Sequence, residues 1–387
     1  MNKQQECPVC GSFKIHCFHE QESVPAYCNV LCLNKEEALS IPKGNISLVL
    51  CKYCGHVYNS CFDPSLLVYT QEYENTLHFS KIFQEYANKL ATQLVNRYKL
   101  YNKNIVENGC GKGDFLALLC RIGNNHGIGF DKSYNNHQVV SSRLSFIDDY
   151  YSSHYSDIKV DFFYCRHVLE HIALPQAFLG EIKQGLASPG CVDIFFEVPN
   201  LLYILHSLGI WDIIYEHCGY FSSSSLEYLF LQQGFFVEEI TESFNKQFLK
   251  LYGSLNDQRK KQYHSSNHLN DLEWLTSDFS KKYREKIVKW QSVLKELNSG
   301  KAVIWGAGSK GITFLNTLDT IDKIFYAVDI NPRKQQKYIP GTGQIVVAPI
   351  ELKQIKPEVV FIMNPNYQQE IQKQLDTLKL NCELICV

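Results

Sequence analysis

The chain has 387 residues, a formal net charge of −2, 45% hydrophobic and 13% aromatic residues. That length predicts two or three domains with substantial cores, and no lysine/arginine block stands out to support nucleic-acid or membrane-surface binding. Fifteen cysteines in a chain whose start, Met1-Asn-Lys-Gln-Gln-Glu-Cys7, lacks a signal-peptide core predict free thiols and a metal site, and a cytoplasmic location.

Residues 1–75 carry two C-x-x-C-G knuckles, Cys7-Pro-Val-Cys10-Gly and Cys51-Lys-Tyr-Cys54-Gly. Each turn sets two thiolates on one side, and the following glycine allows the left-handed backbone such a turn needs. Together Cys7, Cys10, Cys51 and Cys54 predict a closed tetrahedral Zn2+ site, structural because no position is left for water. His16, Cys17, His19, Cys28 and Cys32 are read as packing or surface residues. The aromatic-polar stretch that follows, with Tyr69, Tyr73, His78 and Ser80, is a connector whose side chains could roof a pocket. A helix is predicted from Lys81 to Tyr98, with Phe83, Tyr86, Ala87, Leu90 and Leu94 on one face.

Residues 76–255 alternate strands and helices, which predicts a doubly wound parallel sheet. Strands are expected at Ile105–Glu107, Gly127–Asp131, Leu144–Ile147, Val160–Cys165 and Val192–Val198. Phe235–Ile240 and Phe248–Leu255, with no helix between them, predict a closing antiparallel pair. The first strand enters Glu107-Asn-Gly109-Cys-Gly111-Lys-Gly113. A carboxylate before the loop repels a phosphate and tolerates a cation. Asp131, at the tip of the next strand, suits the two hydroxyls of a ribose. The pattern resembles motif I of class I S-adenosyl-L-methionine (AdoMet) methyltransferases, which implies AdoMet bound by Glu107, Gly109, Gly111 and Asp131. Asp148 and His167, at later strand tips, are added as cofactor contacts. In Arg166-His-Val-Leu-Glu-His171, His167 and His171 share a face if a helix starts there. With Glu170 they could also hold a metal, but capping and cofactor contact are preferred. The run Leu201 to Tyr215 is interrupted by His206 and Asp212 and is too short to span a bilayer. After it, Tyr215, Glu216, His217 and Tyr220 form the second chemical cluster. His217 suits proton removal near neutral pH, with Glu216 placed to orient it.

Residues 256–387 begin with a polar linker to Asn267 and a long amphipathic helix over Leu269–Leu297. Then Gly306-Ala-Gly308-Ser-Lys-Gly311 follows a strand, and Asp329 comes 18 residues after Gly311. That is a dinucleotide fingerprint, yet no partner for hydride transfer is evident. The loops Tyr338–Gly343 and Met363–Tyr367 are candidates for the cleft wall.

The whole order resembles the zinc-containing sugar C-methyltransferases that act on nucleotide-linked deoxysugars: a four-cysteine domain, an AdoMet fold with Glu-His then Tyr-Phe after strand five, and a second Rossmann-like domain. The resemblance implies a small-molecule acceptor, a keto-deoxysugar on a nucleotide. It implies His217 as the base beside a 4-keto group, with Glu216 next to it and Tyr215 as the active-site tyrosine. Tyr73, His171, Asn200 and Tyr220 are the expected substrate contacts. The Tyr215 spacing is tighter than in those enzymes, which keeps an O- or N-methyltransferase open. An NAD-dependent oxidoreductase is the alternative from another class.

Overall fold

The computed structural model describes residues 4–67, 73–132, 141–186, 191–255, 268–318 and 320–387. Tyr69 and the linker 256–267 lie outside these residues. Among the described residues, no helix is long and apolar enough to cross a membrane.

The N-terminal module is an antiparallel sheet of β1 (Ile15–Pro25), β2 (Lys43–Cys51) and β3 (Val57–Asn59), with a short helix α1 (Lys35–Leu39) between the first two strands. The knuckle turns sit at one end of this sheet. Gly11 and Gly55 both take left-handed backbone, at φ 71° and 74°, as the turns require.

The central domain is a seven-stranded sheet in which β4 (Asn104–Asn108), β5 (His126–Phe130), β6 (Leu144–Ile147), β7 (Phe162–Arg166) and β8 (Val192–Pro199) run parallel. Its middle strands β7 and β8 are buried along nearly their whole length, as strands covered on both faces must be. Helices α2 (Lys81–Tyr98), α3 (Asp114–Gly123), α4 (Pro175–Gly185), α5 (Leu201–Ser207) and α6 (Ser223–Gln232) connect or cover them. Ser80 caps α2 by accepting from Phe83 N, and Phe83, Ala87, Leu90, Ala91, Leu94 and Val95 form its buried face. β9 (Gly219–Tyr220) leaves this domain and pairs with β3, completing the N-terminal sheet. The chain then returns as β10 (Phe236–Ser243) and β11 (Phe248–Leu255), an antiparallel pair attached to β8. The strand order β10-β11-β8-β7-β4-β5-β6 puts the crossover reversal between β4 and β7, the place where open α/β sheets bind ligands.

The expected single helix over Leu269–Leu297 is two, α7 (His268–Ser277) and α8 (Phe279–Glu296). Asp278 separates them. The break turns Phe279 and Tyr283 onto His19, whose ring lies 5.4 and 4.3 Å from theirs. The C-terminal sheet is parallel throughout, in the order β14 (Ile345–Val347), β13 (Ile324–Val328), β12 (Ala302–Trp305), β15 (Val359–Ile362), β16 (Glu383–Cys386). Helices α9 (Ser309–Thr317), α10 (Leu352–Ile355) and α11 (Gln368–Leu378) cover it.

One apolar core runs through all three parts, from Phe18 and Leu48 through Trp211 and Tyr215 to Trp290, Phe314 and Phe361. The N-terminal module also pairs with the last domain by backbone, Cys32 bridging Tyr338. The loop Tyr338–Gly343 therefore serves this contact. A β-carbon on Gly341 would meet Asn316 and Pro25. The expectation that this loop faces the cleft is corrected accordingly.

Candidate active site

A single cavity of about 480 Å³ joins the β4 loop, the β7 tip and the glycine loop after β12. It lies at the carboxyl ends of both parallel sheets. Links across it hold the two domains face to face: Gln247 Nε2 donates to Asn364 Oδ1 at 3.0 Å and Lys81 N to Glu370 Oε1 at 3.0 Å.

The β4 loop has the chemistry its sequence predicts. Gly109, Gly111 and Gly113 have φ of 79°, 52° and 79°, a region L side chains avoid. Gly109 packs on Val168, whereas a β-carbon on Gly111 would meet nothing within 4 Å. Gly111 therefore presents bare backbone to the cleft. Its N–H donates to Asp131 Oδ2 at 2.7 Å. Glu107 is 3% exposed, and its Oε2 accepts no hydrogen bond among the described residues. Burial raises its carboxyl to about 8, against the pull of Tyr164 and Arg166. A buried carboxyl with an unused oxygen is stabilised in its charged form by an arriving cation. Glu107, the bare Gly111 loop and Asp131 thus fit the amino-acid cation and ribose of AdoMet. Asp148 does not line the cavity. It is exposed, and its carbonyl accepts from Lys132 Nζ at 3.4 Å. Tyr150, two residues on, lines the cavity instead.

At the β7 tip, Arg166 donates to Glu197 from Nε at 2.8 Å and stands over the Phe115 ring at 4.1 Å. Tyr86 also donates to Glu197. Burial disfavours the Glu197 charge, but Arg166 outweighs it and holds the carboxyl at about 2. No helix starts at His167. The residue takes φ 55°, and a 3-10 turn follows over Leu169–His171. The left-handed step, of order 1–2 kcal/mol for a non-glycine, sets His167 between Glu197 Oε2 at 3.3 Å and Glu170 Oε1 at 3.7 Å. Burial works against its charge, yet the two carboxylates raise it to about 9.

His171 and His217 meet at this turn, ring centroids 4.9 Å apart. With Glu170, their ligand-capable atoms all lie within 4.8 Å of one another. His171 Nδ1 lies 2.9 Å from the Glu216 carbonyl oxygen; donation there fixes its tautomer and turns Nε2 outward. Burial, then His171, lowers His217 to about 3, with Glu170 pulling upward. The imidazole is therefore neutral at working pH, and its Nδ1 has no hydrogen-bond partner among the described residues. Burial pushes Glu170 up, but the surrounding imidazoles hold it below its ordinary value. The carboxylate facing His217 is thus Glu170. This corrects the expectation that Glu216 orients it. The Glu216 side chain, fully buried, points the other way. It accepts from Cys28 N at 2.6 Å, Asn29 N at 3.2 Å, Asn29 Nδ2 at 2.8 Å and Tyr73 Oη at 3.1 Å.

Three expected substrate or catalytic contacts are likewise turned away from the cavity. The Tyr215 ring packs where a β-carbon on Gly44 would come within 2.2 Å, and its hydroxyl accepts from Asp63 N at 2.8 Å. Tyr220 Oη bonds to the backbone of Ile214 at 3.2 Å. Asn200 caps α5 by accepting from Leu202 N at 3.0 Å. In each case a backbone group claims the polar atom. Tyr73, His78, Ser80, His167, His171 and His217 do line the cavity.

The second glycine loop forms the opposite wall. Ala307 N donates to Asp329 Oδ2 at 2.9 Å. Lys334, 6% exposed, donates to Ala307 O at 3.2 Å and stands 4.0 Å from Asp329 Oδ2. Asn331, 2% exposed, lines the cavity, and its Nδ2 has no partner among the described residues. Sequence reasoning missed Lys334 and Asn331, since no motif spacing ties either to the loop. It missed Glu170 as the partner of His217 because only the fold brings β7 against residue 217.

The four knuckle cysteines converge, Cys7 Sγ to Cys54 Sγ at 3.7 Å and Cys10 Sγ to Cys51 Sγ at 3.4 Å. These separations are near the edge of a tetrahedron with ~2.3 Å metal–sulfur bonds.

A methyltransferase domain model matches residues 82–240, and a C-methyltransferase C-terminal domain model matches residues 260–386. No curated protein matches the chain. Similar solved structures include a SAM-dependent methyltransferase from Aquifex aeolicus, at 13% identity and TM-score 0.33 over 46% of this chain and 100% of that one. A magnesium protoporphyrin IX methyltransferase from Synechocystis PCC 6803 with bound SAH has 16% identity and TM-score 0.34 over 45% of this chain and 84% of that one. The carbon methyltransferase CurJ has 11% identity and TM-score 0.33 over 46% and 56%. By its two domain matches, this chain is an AdoMet-dependent methyltransferase in which the AdoMet domain is followed by a C-methyltransferase C-terminal domain.

Proposed function

We propose that the enzyme methylates carbon, on a keto-deoxysugar carried by a nucleotide, in the cytoplasm. The observation that carries this reading is the placement of His217 with Glu170 and His171, their ligand-capable atoms all within 4.8 Å of one another, where the AdoMet loop faces the second glycine loop. A carbon acid needs a positioned base, and His217 with Glu170 beside it supplies one in this reading.

In this reading Glu107, Gly109, Gly111 and Asp131 hold AdoMet, which supplies an electrophilic methyl group. His217 takes the proton from the carbon beside the ketone. The C–H electron pair moves to the carbonyl, leaving an enolate, and Glu170 stabilises the imidazolium that forms. Tyr73 and His171 border the same space. Lys334, Asn331 and the α9 N-terminus offer donors for the acceptor's anionic part; this favours a nucleotide-linked acceptor over a neutral one. Asp329 is engaged by Ala307 N and by Asn331 N at 2.8 Å. The four cysteines hold structural Zn2+.

The test is product analysis. Protein, methyl-labelled AdoMet and a panel of nucleotide 4-keto-6-deoxysugars are incubated and the product read by NMR. A labelled methyl on carbon supports the reading. A methyl on oxygen or nitrogen overturns it while leaving the enzyme class intact.

A further inference from the structure

His217 is fixed from both sides by the N-terminal module. On one side, the Glu216 carboxylate accepts from Cys28 N, Asn29 N, Asn29 Nδ2 and Tyr73 Oη. On the other, the backbone from 218 to 220 is built into the module's sheet. Asn59 N donates to Cys218 O at 2.9 Å, Tyr58 pairs with Gly219, and Val57 with Tyr220. His217 is the one residue between these anchors, and it lines the cleft.

The strand that makes this pairing starts three residues after Cys54. Between them, the knuckle closes by Gly55 N to Cys51 O at 2.9 Å and Cys51 N to His56 O at 2.8 Å. His56, 1% exposed, packs its ring 4.7 Å from Phe221. A β-carbon on Gly219 would stand 3.2 Å from His56 Cε1. The order therefore runs from the cysteine turn to His56, to β3, to β9, to the backbone beside His217. None of the four cysteines lines the cleft.

We propose that the four-cysteine metal site positions His217: the metal orders the second knuckle, the knuckle fixes β3, and β3 holds β9 in the register that points the imidazole into the cleft. The metal acts outside the reaction, through these positioning residues. The activity part of this inference rests on His217 being the base; the positional part does not.

The experiment uses the full chain in reducing buffer, stripped of metal by a chelator and then reloaded with Zn2+. The His217 imidazole signal, assigned by loss in His217→Asn, is followed by NMR, and AdoMet affinity by calorimetry. Stripping is expected to move or broaden the His217 signal, leave AdoMet affinity unchanged and remove turnover, and Zn2+ restores all that was lost. A His217 signal indifferent to metal overturns the proposal. Should stripping unfold the chain, Gly219→Val decides, since it separates β9 from His56 without touching a cysteine. It is expected to keep full metal content and AdoMet affinity, shift the His217 signal and lower kcat by about 10²-fold. Wild-type signal and kcat in that variant would also overturn it. A moved signal with unchanged kcat would leave the positioning intact and remove His217 from the chemistry.

Discussion

The two glycine loops of this chain share one backbone plan and differ in charge. In each, a strand from a parallel sheet enters a glycine turn, a loop N–H reaches the acid at the next strand's tip, and a helix follows: Gly111 N to Asp131 at 2.7 Å, Ala307 N to Asp329 at 2.9 Å. Two residues before its first glycine, the β4 loop has buried Glu107, where the β12 loop has Ile304. A β-carbon on Gly111 would find open space, while one on Gly308 would meet Lys334 Nζ at 3.7 Å. One loop is therefore built for a cation and the other carries a resident ammonium. The glycine pattern specifies a turn; the one or two ionisable groups beside it decide the ligand's sign.

His217 sits between the loops, and its removal has the largest expected effect. His217→Asn should lower turnover by about 10³-fold, with AdoMet affinity unchanged in calorimetry. The matched glycines test the comparison itself. Gly111→Ala places a side chain at φ 52° and should weaken AdoMet by roughly tenfold or more. Lys334→Met should raise the acceptor KM by about tenfold, as a lost charged contact to an anion does, and leave AdoMet affinity alone. Equal effects on both ligands would break the division of labour. Glu107 gives the loop a pH signature. A cation prefers the ionised carboxylate, so AdoMet affinity should fall as pH drops below about 8, by at most about tenfold per pH unit. Glu107→Gln should flatten that profile. The smallest effect is expected of Gly308→Ala, whose new carbon makes only ordinary contact, with turnover changed less than about twofold.

Much of this was legible in the chain. The knuckle spacing predicted that four cysteines meet, and the strand-helix alternation with its closing pair predicted the central sheet. Glu107 and Asp131 stood where the pattern of apolar runs put them. What failed was local in origin. Tyr215, Glu216 and Tyr220 are adjacent to His217 in sequence, and adjacency suggested a shared site. These three instead point into the N-terminal module or the core, Tyr215 held by Asp63, Glu216 by Cys28 and Asn29, and Tyr220 by Ile214. The true neighbour, Glu170, lies 47 positions away on the β7 turn. The pairing of β9 with β3 was unreadable because two residues carry no period.

The account's central claim is that His217 removes a proton from carbon. Its most direct test is solvent exchange: the enzyme is mixed with a nucleotide 4-keto-6-deoxysugar in D2O, without AdoMet, beside His217→Asn. The account predicts deuterium at the carbon next to the ketone with the wild-type enzyme and none with the variant. Equal exchange in both, or methyl transfer to carbon by the variant at the wild-type rate, would contradict it.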